Sequence, residues 1–344
     1  MNICVMGAGW FGCYIGHELI KRKYSVDIYE KENDIFLNAS GNNQNRLHLG
    51  FHYPRSNITR KLSKAGFDIF KKKFKKFSKK IDNNLYGISN TISTKINFKK
   101  YLAIINSSKL KCKKIDLKTV PFLKNLEGLV KSDEELILVE KIKKYYKKKL
   151  RKNLFFNHHI NSIKYKNYKY IINGKKYDLV INCTAYQFLK KKIKNLIYEY
   201  CTVLLYKSLY KNHPAITIMD GPFFTLYPWD NKNRFGLYSV INSRLLVNKN
   251  FNFLKRKVRD SINKKYLLNI KNKIEHEYSS FYPLFKKRFR FIKFLNSYRT
   301  IISNKSDARS CIVTIKNNFI NIFPGKIDHI FYAFQQVEKC LKKF

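Results

Sequence analysis

The first thirty residues carry two short apolar runs separated by a segment with helical spacing. Asn2–Met6 is almost continuously apolar, which is typical of a strand buried in a parallel sheet. Within 10–23 the apolar side chains recur at helical intervals, and 24–29 is rich in the β-branched residues that favour a strand. The pattern therefore predicts a strand, a tight turn, a helix and a second strand at the start of the chain.

Patterning in the rest of the chain predicts further strands and helices. A lysine-rich helix is expected over 134–150, and an aromatic, strand-prone region runs from 204 to about 295. A turn at Asn173-Gly174 closes a predicted hairpin arm. The remaining predicted elements are strands at 153–157, 160–164, 168–172, 177–185, 223–226, 235–240, 311–315 and 319–323, a helix at 251–268 and a closing helix. Strands that alternate with helices predict an α/β fold.

Three glycines, Gly7, Gly9 and Gly12, fill the predicted turn between the first strand and the first helix. In this context the first glycine allows a tight turn, the second lets the backbone approach a pyrophosphate, and the third lets the helix pack closely on the strand. The helix N-terminus presents N–H groups and the positive end of its dipole to the phosphates. Glu30 ends the second strand, where a carboxylate can accept hydrogen bonds from ribose hydroxyls. The motif predicts a bound dinucleotide.

The composition is that of a globular protein with an extreme positive charge. The 344 residues are 44% hydrophobic and carry a net charge of +47. Most basic residues are lysines in short runs, at 71–73, 147–149 and 190–192, whereas proteins that read nucleic-acid sequence rely on arginine. We therefore expect solvated helix faces and no nucleic-acid partner. Contact with an anionic membrane surface or a phosphorylated substrate stays open.

The seven cysteines lie far apart and include no Cys-X-X-Cys pair. This spacing predicts neither a zinc site nor a disulfide framework, so we expect no metal and reduced thiols in a cytoplasmic protein. No apolar run approaches the ~18–20 residues that a membrane-spanning helix needs. The sequence also lacks the motifs of serine hydrolases, HExxH zinc proteases and P-loop nucleotidases.

Four stretches of the chain together resemble a known family. They are GAGWFG with Glu30, the segment Ala39–His48 (ASGNNQNRLH), the strand YDLVINCTA at 177–185, and FPGKIDH at 323–329. These stretches resemble the FAD-dependent oxidoreductases of the D-amino-acid oxidase superfamily, which includes glycine and sarcosine oxidases, glycerol-3-phosphate dehydrogenase and 2-hydroxyglutarate oxidase. The resemblance covers roughly half of the chain and is weak through the middle, where a substrate would be read.

The resemblance implies FAD as the cofactor and a role for each matching position. The glycine turn and its neighbours would hold the pyrophosphate, the acid after the second strand would bind the adenosine ribose, and the late glycine loop would close over the pyrimidine end of the ring. The implied residues are Gly7, Gly9, Trp10, Phe11 and Gly12 at the pyrophosphate; Glu30 and Lys31 at the ribose; Ser40, Asn43 and Gln44 along the phosphates and ribityl chain; Arg46, Leu47 and His48 near the isoalloxazine ring; Thr184 and Ala185 beside the adenine half; and Gly325, Lys326 and Ile327 at the pyrimidine end.

The densest polar and aromatic cluster follows these positions, in the sequence HLGFHYPRS. Arg55 could clamp a substrate carboxylate or phosphate through its guanidinium fork. His52 or Tyr53 could orient the donor carbon over the flavin, and some relatives attach their flavin through a histidine in the neighbourhood of His48. The alternative is that both histidines are hydrogen-bonded packing residues and that Arg55 belongs to a surface ion pair.

Two further groups of side chains are weaker candidates. Tyr227, Trp229 and Tyr238 fall in the predicted substrate sheet, where they either wall a pocket over the ring or pack in the core. His329 follows the late glycine loop and could reach the flavin, although helix capping by Asp328 explains this pair equally well.

We expect a Rossmann-like FAD-binding domain interleaved with a substrate domain built on a mixed or antiparallel sheet. The FAD domain would comprise 1–78, 139–190 and 300–344, and the substrate domain 79–138 and 191–299. The resemblance implies hydride transfer from an amine- or hydroxyl-bearing carbon of a small, anionic substrate, such as an amino acid or a 2-hydroxy acid, to flavin N5. The electron acceptor, which could be oxygen, and the oligomeric state stay open.

Two alternatives remain at this point. The first keeps the flavin but changes the reaction to that of a sugar-nucleotide mutase or isomerase, whose diphosphate substrate would suit the basic surface and Arg55. The second is a non-catalytic nucleotide fold that binds a polyanion or a membrane surface.

Overall fold

The structure is a computed structural model that describes residues 1–188, 193–304 and 309–342. Several of its helices begin at an asparagine or serine whose side-chain oxygen accepts a hydrogen bond from an N–H group of the first turn. The α-helices of the described residues are α1 Trp10–Lys21, α2 Asn57–Phe74, α3 Phe98–Ser107, α4 Val139–Lys149, α5 Phe251–Ser261, α6 Lys264–Ser279, α7 Phe285–Arg288 and α8 Ile330–Leu341, with 3-10 turns at Lys75–Phe77, Leu117–Thr119 and Ile327–His329.

The strands lie in four sheets. In chain order they are β1 Asn2–Met6, β2 Ser25–Tyr29, β3 Arg46–Leu47, β4 Ser78–Lys80, β5 Asn84–Ser89, β6 Cys112–Ile115, β7 Leu126–Ser132, β8 Glu135–Ile137, β9 Leu154–Phe155, β10 Lys164–Lys166, β11 Lys169–Ile172, β12 Lys175–Tyr177, β13 Leu179–Asn182, β14 Leu196–Ser208, β15 Ala215–Met219, β16 Phe224–Pro228, β17 Arg234–Ser239, β18 Arg244–Asn248, β19 Phe289–Ile302, β20 Ile312–Lys316 and β21 Phe319–Phe323.

The first sheet contains six strands in the order β20-β21-β13-β1-β2-β9 and is parallel except at β20. Alternate residues of β1 face opposite sides, as the pleat requires. Ile3 and Val5 pack in a core with α1, α2, α4 and α8, whereas Cys4 and Met6 pack against the small antiparallel sheet β10-β11-β12. Both faces are covered, which explains why β1 is a nearly continuous apolar run.

The second large sheet has nine strands and is mixed. Its order is β18-β14-β17-β16-β15-β5-β7-β6, and β19 pairs along the whole of β14. β15 and β5 are parallel, and the other pairs are antiparallel. Helix α6 contributes Ile274 and Tyr278 to the core on one face, and α3 contributes Tyr101 and Ile105 to the core around Tyr86. The predicted α/β fold with a mixed second sheet is confirmed, while the boundaries of the two interleaved domains stay a prediction.

Several predicted elements differ in the structure. The helix predicted over 134–150 is wrong at its start, because Glu135–Ile137 is a strand that pairs with both β3 and β4. The helix predicted over 251–268 is two helices, because the side chain of Asn263 caps a new helix by accepting from the N–H of Tyr266. The predicted hairpin arm is a three-stranded meander whose first strand begins at Lys164.

The lysine runs at 71–73 and 147–149 lie at the ends of α2 and α4, and most of their side chains are exposed. The run at 190–192 lies outside the described residues. None of the seven cysteines, all of which lie in the described part of the chain, forms a disulfide. Among the described residues, no helix is both long enough and apolar enough to cross a membrane.

Replacing Gly12 with alanine should destabilise the protein. A Cβ atom there would lie 1.9 Å from the backbone oxygen of Gly7, so α1 would have to move off β1. We expect a loss of about 3 kcal/mol or more in the free energy of unfolding, despite the better helix propensity of alanine. Thermal or urea unfolding of the variant and of the wild type measures this difference in the free energy of unfolding.

Gly16→Ala is the matched control on the same helix. Its Cβ would meet the end of the flexible Ile28 side chain, which can shift. If Gly12→Ala proved no more destabilising than Gly16→Ala, the close backbone contact would not be needed.

Candidate active site

A cavity of about 1100 Å³ lies between the carboxyl end of β1 and the strands of the nine-stranded sheet. Ligands in α/β folds bind at this end of the parallel strands. Of the residues that the sequence analysis assigned to the cofactor or to catalysis, all except Gly12 and Leu47 line this cavity: Gly7, Gly9, Trp10, Phe11, Glu30, Lys31, Ser40, Asn43, Gln44, Arg46, His48, His52, Tyr53, Arg55, Thr184, Ala185, Gly325, Lys326 and Ile327.

The glycine turn has the geometry of a phosphate cradle. Gly7 has φ +92°, a conformation that L side chains rarely adopt, and Gly9 precedes α1 without a side-chain cap. A Cβ atom on Gly9 would lie 2.9 Å from the hydroxyl of Ser40, so any side chain would fill the space in front of the helix. Gly12 does not line the cavity, because it packs against Gly7 beneath the turn.

The acid at the end of β2 faces this turn. Oε2 of Glu30 accepts from the N–H of Ala8 at 2.7 Å, and the hydroxyl of Ser40 accepts from the N–H of Trp10 at 3.0 Å. The hypothesis of a dinucleotide required that the carboxylate stand beside an open turn. The carboxylate faces the turn, and Gly7, Gly9 and Trp10 line the cavity, with the Trp10 N–H bonded to Ser40. The residues present fit the adenosine and pyrophosphate parts of FAD.

A buried network of polar side chains lies under the opposite end of the cavity. The guanidinium of Arg46, which is 2% exposed, donates to the hydroxyl of Tyr86 at 2.6 Å and to that of Thr217 at 2.7 Å. It also packs over the ring of Tyr227 and lies 3.8 Å from the carboxylate of Glu134. Arg46 therefore organises the floor of the cavity.

Burial dominates the titration of the groups at this end. It lowers the pKa of His48 to about 4, with a further lowering from Lys326, and it places the pKa of His52 well below the ordinary value. Burial alone would raise the pKa of Glu134, but the adjacent His48 ring, the charge of Arg46 and the hydrogen bond from the hydroxyl of Tyr86 hold it well below its usual range. At pH 7 both imidazoles are neutral and Glu134 is ionised.

Lys326 and Tyr53 stand together on the cavity wall. The ammonium of Lys326 lies 4.1 Å from the centre of the Tyr53 ring and donates to the hydroxyl of Ser63 at 3.1 Å. Gly325 precedes it with φ +62°, and a Cβ atom there would meet the ring of His329 at 2.8 Å. The late glycine loop thus presents a fixed positive charge to the cavity.

Two groups of paired charges complete the wall. Sequence analysis named Arg55 but missed its partner Asp220, and it missed the second group, which contains Glu199, Arg244 and Arg299. Nε of Arg55 donates to the carboxylate of Asp220 at 2.7 Å. The fully buried carboxylate of Glu199 pairs with Arg299 and, at 2.6 Å, with Arg244, while Arg299 also donates to the hydroxyl of Tyr238 at 2.7 Å. No local sequence pattern marks the residues that were missed, because the fold brings them to the cavity from distant parts of the chain.

The weaker candidates divide between the cavity and the core. Tyr238 lines the cavity, whereas Tyr227 is buried under Arg46 and donates to the backbone of β8. Leu47 is fully buried in the core rather than on the cavity wall. Asp328 and His329 are also buried away from the cavity, and helix α8 begins without a side-chain cap, so the expected capping by Asp328 is wrong.

Loss of the acid or of the open turn should weaken FAD binding. We expect Glu30→Ala and Gly9→Val to raise the Kd for FAD at least about tenfold, since a carboxylate hydrogen bond and the free space at the turn are lost. Flavin absorbance per protein after gel filtration measures it. Glu140→Ala removes an exposed carboxylate from α4 and serves as the control. Unchanged flavin content in the first two variants would contradict the assigned cradle.

Curated relatives of the chain are named as flavin enzymes. FAD-dependent monooxygenase FPY4 from Fusarium mangiferae is 29% identical over 336 residues, which cover 98% of this chain and 90% of the relative. FAD-dependent monooxygenase kojA from Aspergillus flavus is 25% identical over 377 aligned positions, covering 98% of this chain and 85% of the relative.

Solved structures share the fold at low sequence identity. Glycerophosphate oxidase from Mycoplasma pneumoniae with FAD bound has a TM-score of 0.76 at 14% identity, covering 99% of this chain and 94% of that one. Glycine oxidase from Geobacillus kaustophilus has a TM-score of 0.71 at 9% identity, and the match covers 97% of this chain and 91% of that one.

A family model described as FAD dependent oxidoreductase (DAO) matches residues 2–305. This match spans most of the chain, including the middle region where the sequence resemblance was weak. It agrees with the fold and with the fit of the cavity to a dinucleotide. The chain therefore belongs to the DAO family of FAD-dependent oxidoreductases, and its cofactor is FAD.

Proposed function

We propose that the protein oxidises a carbon that bears an amine or a hydroxyl in a small anionic substrate. The observation that carries this proposal is the pair of guanidiniums, Arg299 and Arg244, that share the single carboxylate of Glu199 on the cavity wall. Two positive charges against one negative charge leave a net positive group beside the cavity. A substrate carboxylate or phosphate is the natural partner for that charge.

The exposure of the two arginines supports this role. The Arg299 side chain is 25% exposed and that of Arg244 is 36% exposed, whereas Glu199 between them is fully buried. The carboxylate thus orients both guanidiniums from behind and leaves part of each facing the cavity. The hydroxyl of Tyr238, held by Arg299, is placed to contribute a further hydrogen bond to the bound anion.

The chain's own residues then position the reacting carbon. Bound FAD supplies the electron sink, and the cavity walls hold the substrate against it. We assign Arg55, His52 and Tyr53 to the substrate side of the cavity. Asp220 orients Arg55 through its ion pair, as Glu199 orients Arg299. Lys326 would stabilise negative charge at the pyrimidine end of the ring.

Oxygen insertion is a second candidate, because the two curated relatives are named as monooxygenases. The two reactions differ in the fate of molecular oxygen. An oxidase releases hydrogen peroxide, whereas a monooxygenase transfers one oxygen atom to its product. Turnover under ¹⁸O₂ gas distinguishes the two reactions. For the proposed oxidation we expect hydrogen peroxide in proportion to the substrate consumed, and a product that contains no ¹⁸O derived from the gas. Product labelled by ¹⁸O₂ would favour the monooxygenase.

The family is one of enzymes, which disfavours the non-catalytic module. The mutase alternative differs in its redox requirement, since it needs a reductant and consumes no acceptor. Anaerobic mixing of the holoenzyme with separate amino acids, 2-hydroxy acids and sugar phosphates tests the proposal. We expect one anionic class to bleach the flavin band. No bleaching by any of them would contradict the proposed oxidation.

Removal of the positive group should weaken substrate use. We expect Arg299→Met to lower kcat/KM for the bleaching compound by about 10- to 100-fold, the value of one to two charge-assisted hydrogen bonds. The loss should appear mainly in KM, because the anion is bound in both the ground state and the transition state. Stopped-flow reduction measures it.

Arg259→Met is the control for that experiment, since Arg259 is an exposed residue of α5 that pairs with its neighbour Asp260. It should leave kcat/KM unchanged. Equal effects of both substitutions would contradict a specific anion site at Arg299.

A further inference from the structure

Glu134 and His48 lie next to each other just beyond the end of the small sheet formed by β3, β8 and β4. The register of β3 with β8 pairs Arg46 with Leu136 and Leu47 with Glu135. The same antiparallel register, continued by one residue, places His48 opposite Glu134. The register therefore brings His48, which lines the cavity, next to the buried Glu134 from a distant part of the chain.

The carboxylate of Glu134 is fully buried and firmly held. Oε1 accepts from the N–H of Leu49 at 2.8 Å, and Oε2 accepts from the hydroxyl of Tyr86 at 2.5 Å. The guanidinium of Arg46 lies 3.8 Å away and balances the charge. The acid therefore has a fixed position and a fixed negative charge beneath the cavity.

The two nitrogens of His48 have different surroundings. Nδ1 is buried, lies 3.6 Å from Oε1 of Glu134, and has no hydrogen-bond partner among the described residues. The side chain is 16% exposed and lines the cavity, which leaves Nε2 on the accessible side. A negative charge beside Nδ1 favours the tautomer with the proton on that atom, so Nε2 keeps a free lone pair.

We propose that Glu134 is a positioning residue that holds the proton of His48 on Nδ1, so that Nε2 accepts the proton lost by the substrate's amine or hydroxyl. This inference rests on the proposed function. It assigns the proton acceptor of that reaction and the residue that orients it, an arrangement in which a base is itself oriented by a third group.

The step balances in atoms and electrons. The C–H bond of the substrate breaks and its hydrogen leaves as hydride to the oxidised flavin. The N–H or O–H bond of the same substrate breaks, its proton forms a bond with Nε2 of His48, and its electron pair forms the C=N or C=O bond. The resulting imidazolium lies beside the Glu134 carboxylate, and its proton returns to water when the product leaves.

The groups around His48 explain why Glu134 matters to its basicity. Burial and the charges of Lys326 and Arg46 lower the pKa of His48, while Glu134 raises it. The rings of His52 and Tyr53 each lie 5.7 Å from the His48 ring. Loss of the Glu134 charge should therefore lower the pKa of His48 further and make Nε2 a weaker base.

The tautomer of His48 can be determined in the wild-type holoenzyme without any substrate. We expect ¹⁵N NMR at pH 7 to show a neutral ring with Nδ1 protonated and Nε2 bare. A proton on Nε2 would overturn the proposal, as would a covalent flavin bond to this nitrogen, detected as yellow colour that precipitates with the protein in acid. The tautomer is measured without turnover. If no compound reduces the flavin, the proposed function fails; if the proton lies on Nε2, this inference fails, and the two results can be told apart.

Glu134→Gln tests the same assignment by kinetics with the compound that bleaches the flavin. We expect the rate constant of flavin reduction to fall at least about tenfold, with flavin content and KM retained and the acid limb of the pH profile moved to lower pH. Glu134→Asp keeps the charge and should recover part of the rate. An unchanged rate or an unmoved acid limb would overturn the proposal.

Glu135→Gln is the matched control. Glu135 is the neighbouring buried acid on β8, where it pairs with Lys71 rather than with His48. Its rate constant should stay within about twofold of wild type. Equal losses in the two glutamine variants would assign a merely structural role to Glu134. If Glu134→Gln fails to fold, the aspartate variant and the wild-type tautomer still decide the question.

Discussion

The close backbone contact between Gly7 and Gly12 is the constraint on which the site depends. Helix α1 can begin directly after β1 only because neither residue has a side chain at the point of contact. This approach places the helix N-terminus, the Glu30 carboxylate and the Ser40 hydroxyl around one end of the cavity. Movement of α1 would displace its N-terminal amides at the cavity, together with the core that α1 shares with α4 and α8.

The geometry of the other end of the cavity depends on buried charged side chains that form two ion-paired groups. Arg46 is matched by Glu134, and Glu199 is matched by two arginines. A buried charge is tolerated only when it is paired and hydrogen-bonded, so each group fixes the geometry of its members. The Glu134 group keeps a neutral imidazole on the cavity wall, and the Glu199 group leaves positive charge there. In the proposed reaction the first group would orient a proton acceptor and the second would bind the substrate anion.

Local sequence was sufficient for the N-terminal unit and misleading where long-range pairing decides. The first strand, the glycine turn and the acid at Glu30 were predicted because their spacing reflects contacts within thirty residues. The helix predicted over 134–150 was wrong at its start because Glu135–Ile137 pairs with two strands from elsewhere. The single helix predicted over 251–268 missed a cap at Asn263, which is a local signal that could have been used.

The sequence by itself determined the family and the cofactor, and it predicted the residues around the adenosine and pyrophosphate, because a dinucleotide is held by backbone turns that require glycine at set spacings. Only the tertiary structure decided what surrounds the reacting end. Glu134 meets His48 through the β3–β8 register, and Arg299 meets Glu199 through the pairing of β14 with β19. The spacing of residues along the sequence does not indicate such groups, because strand pairing across the sheet brings together the residues that form them.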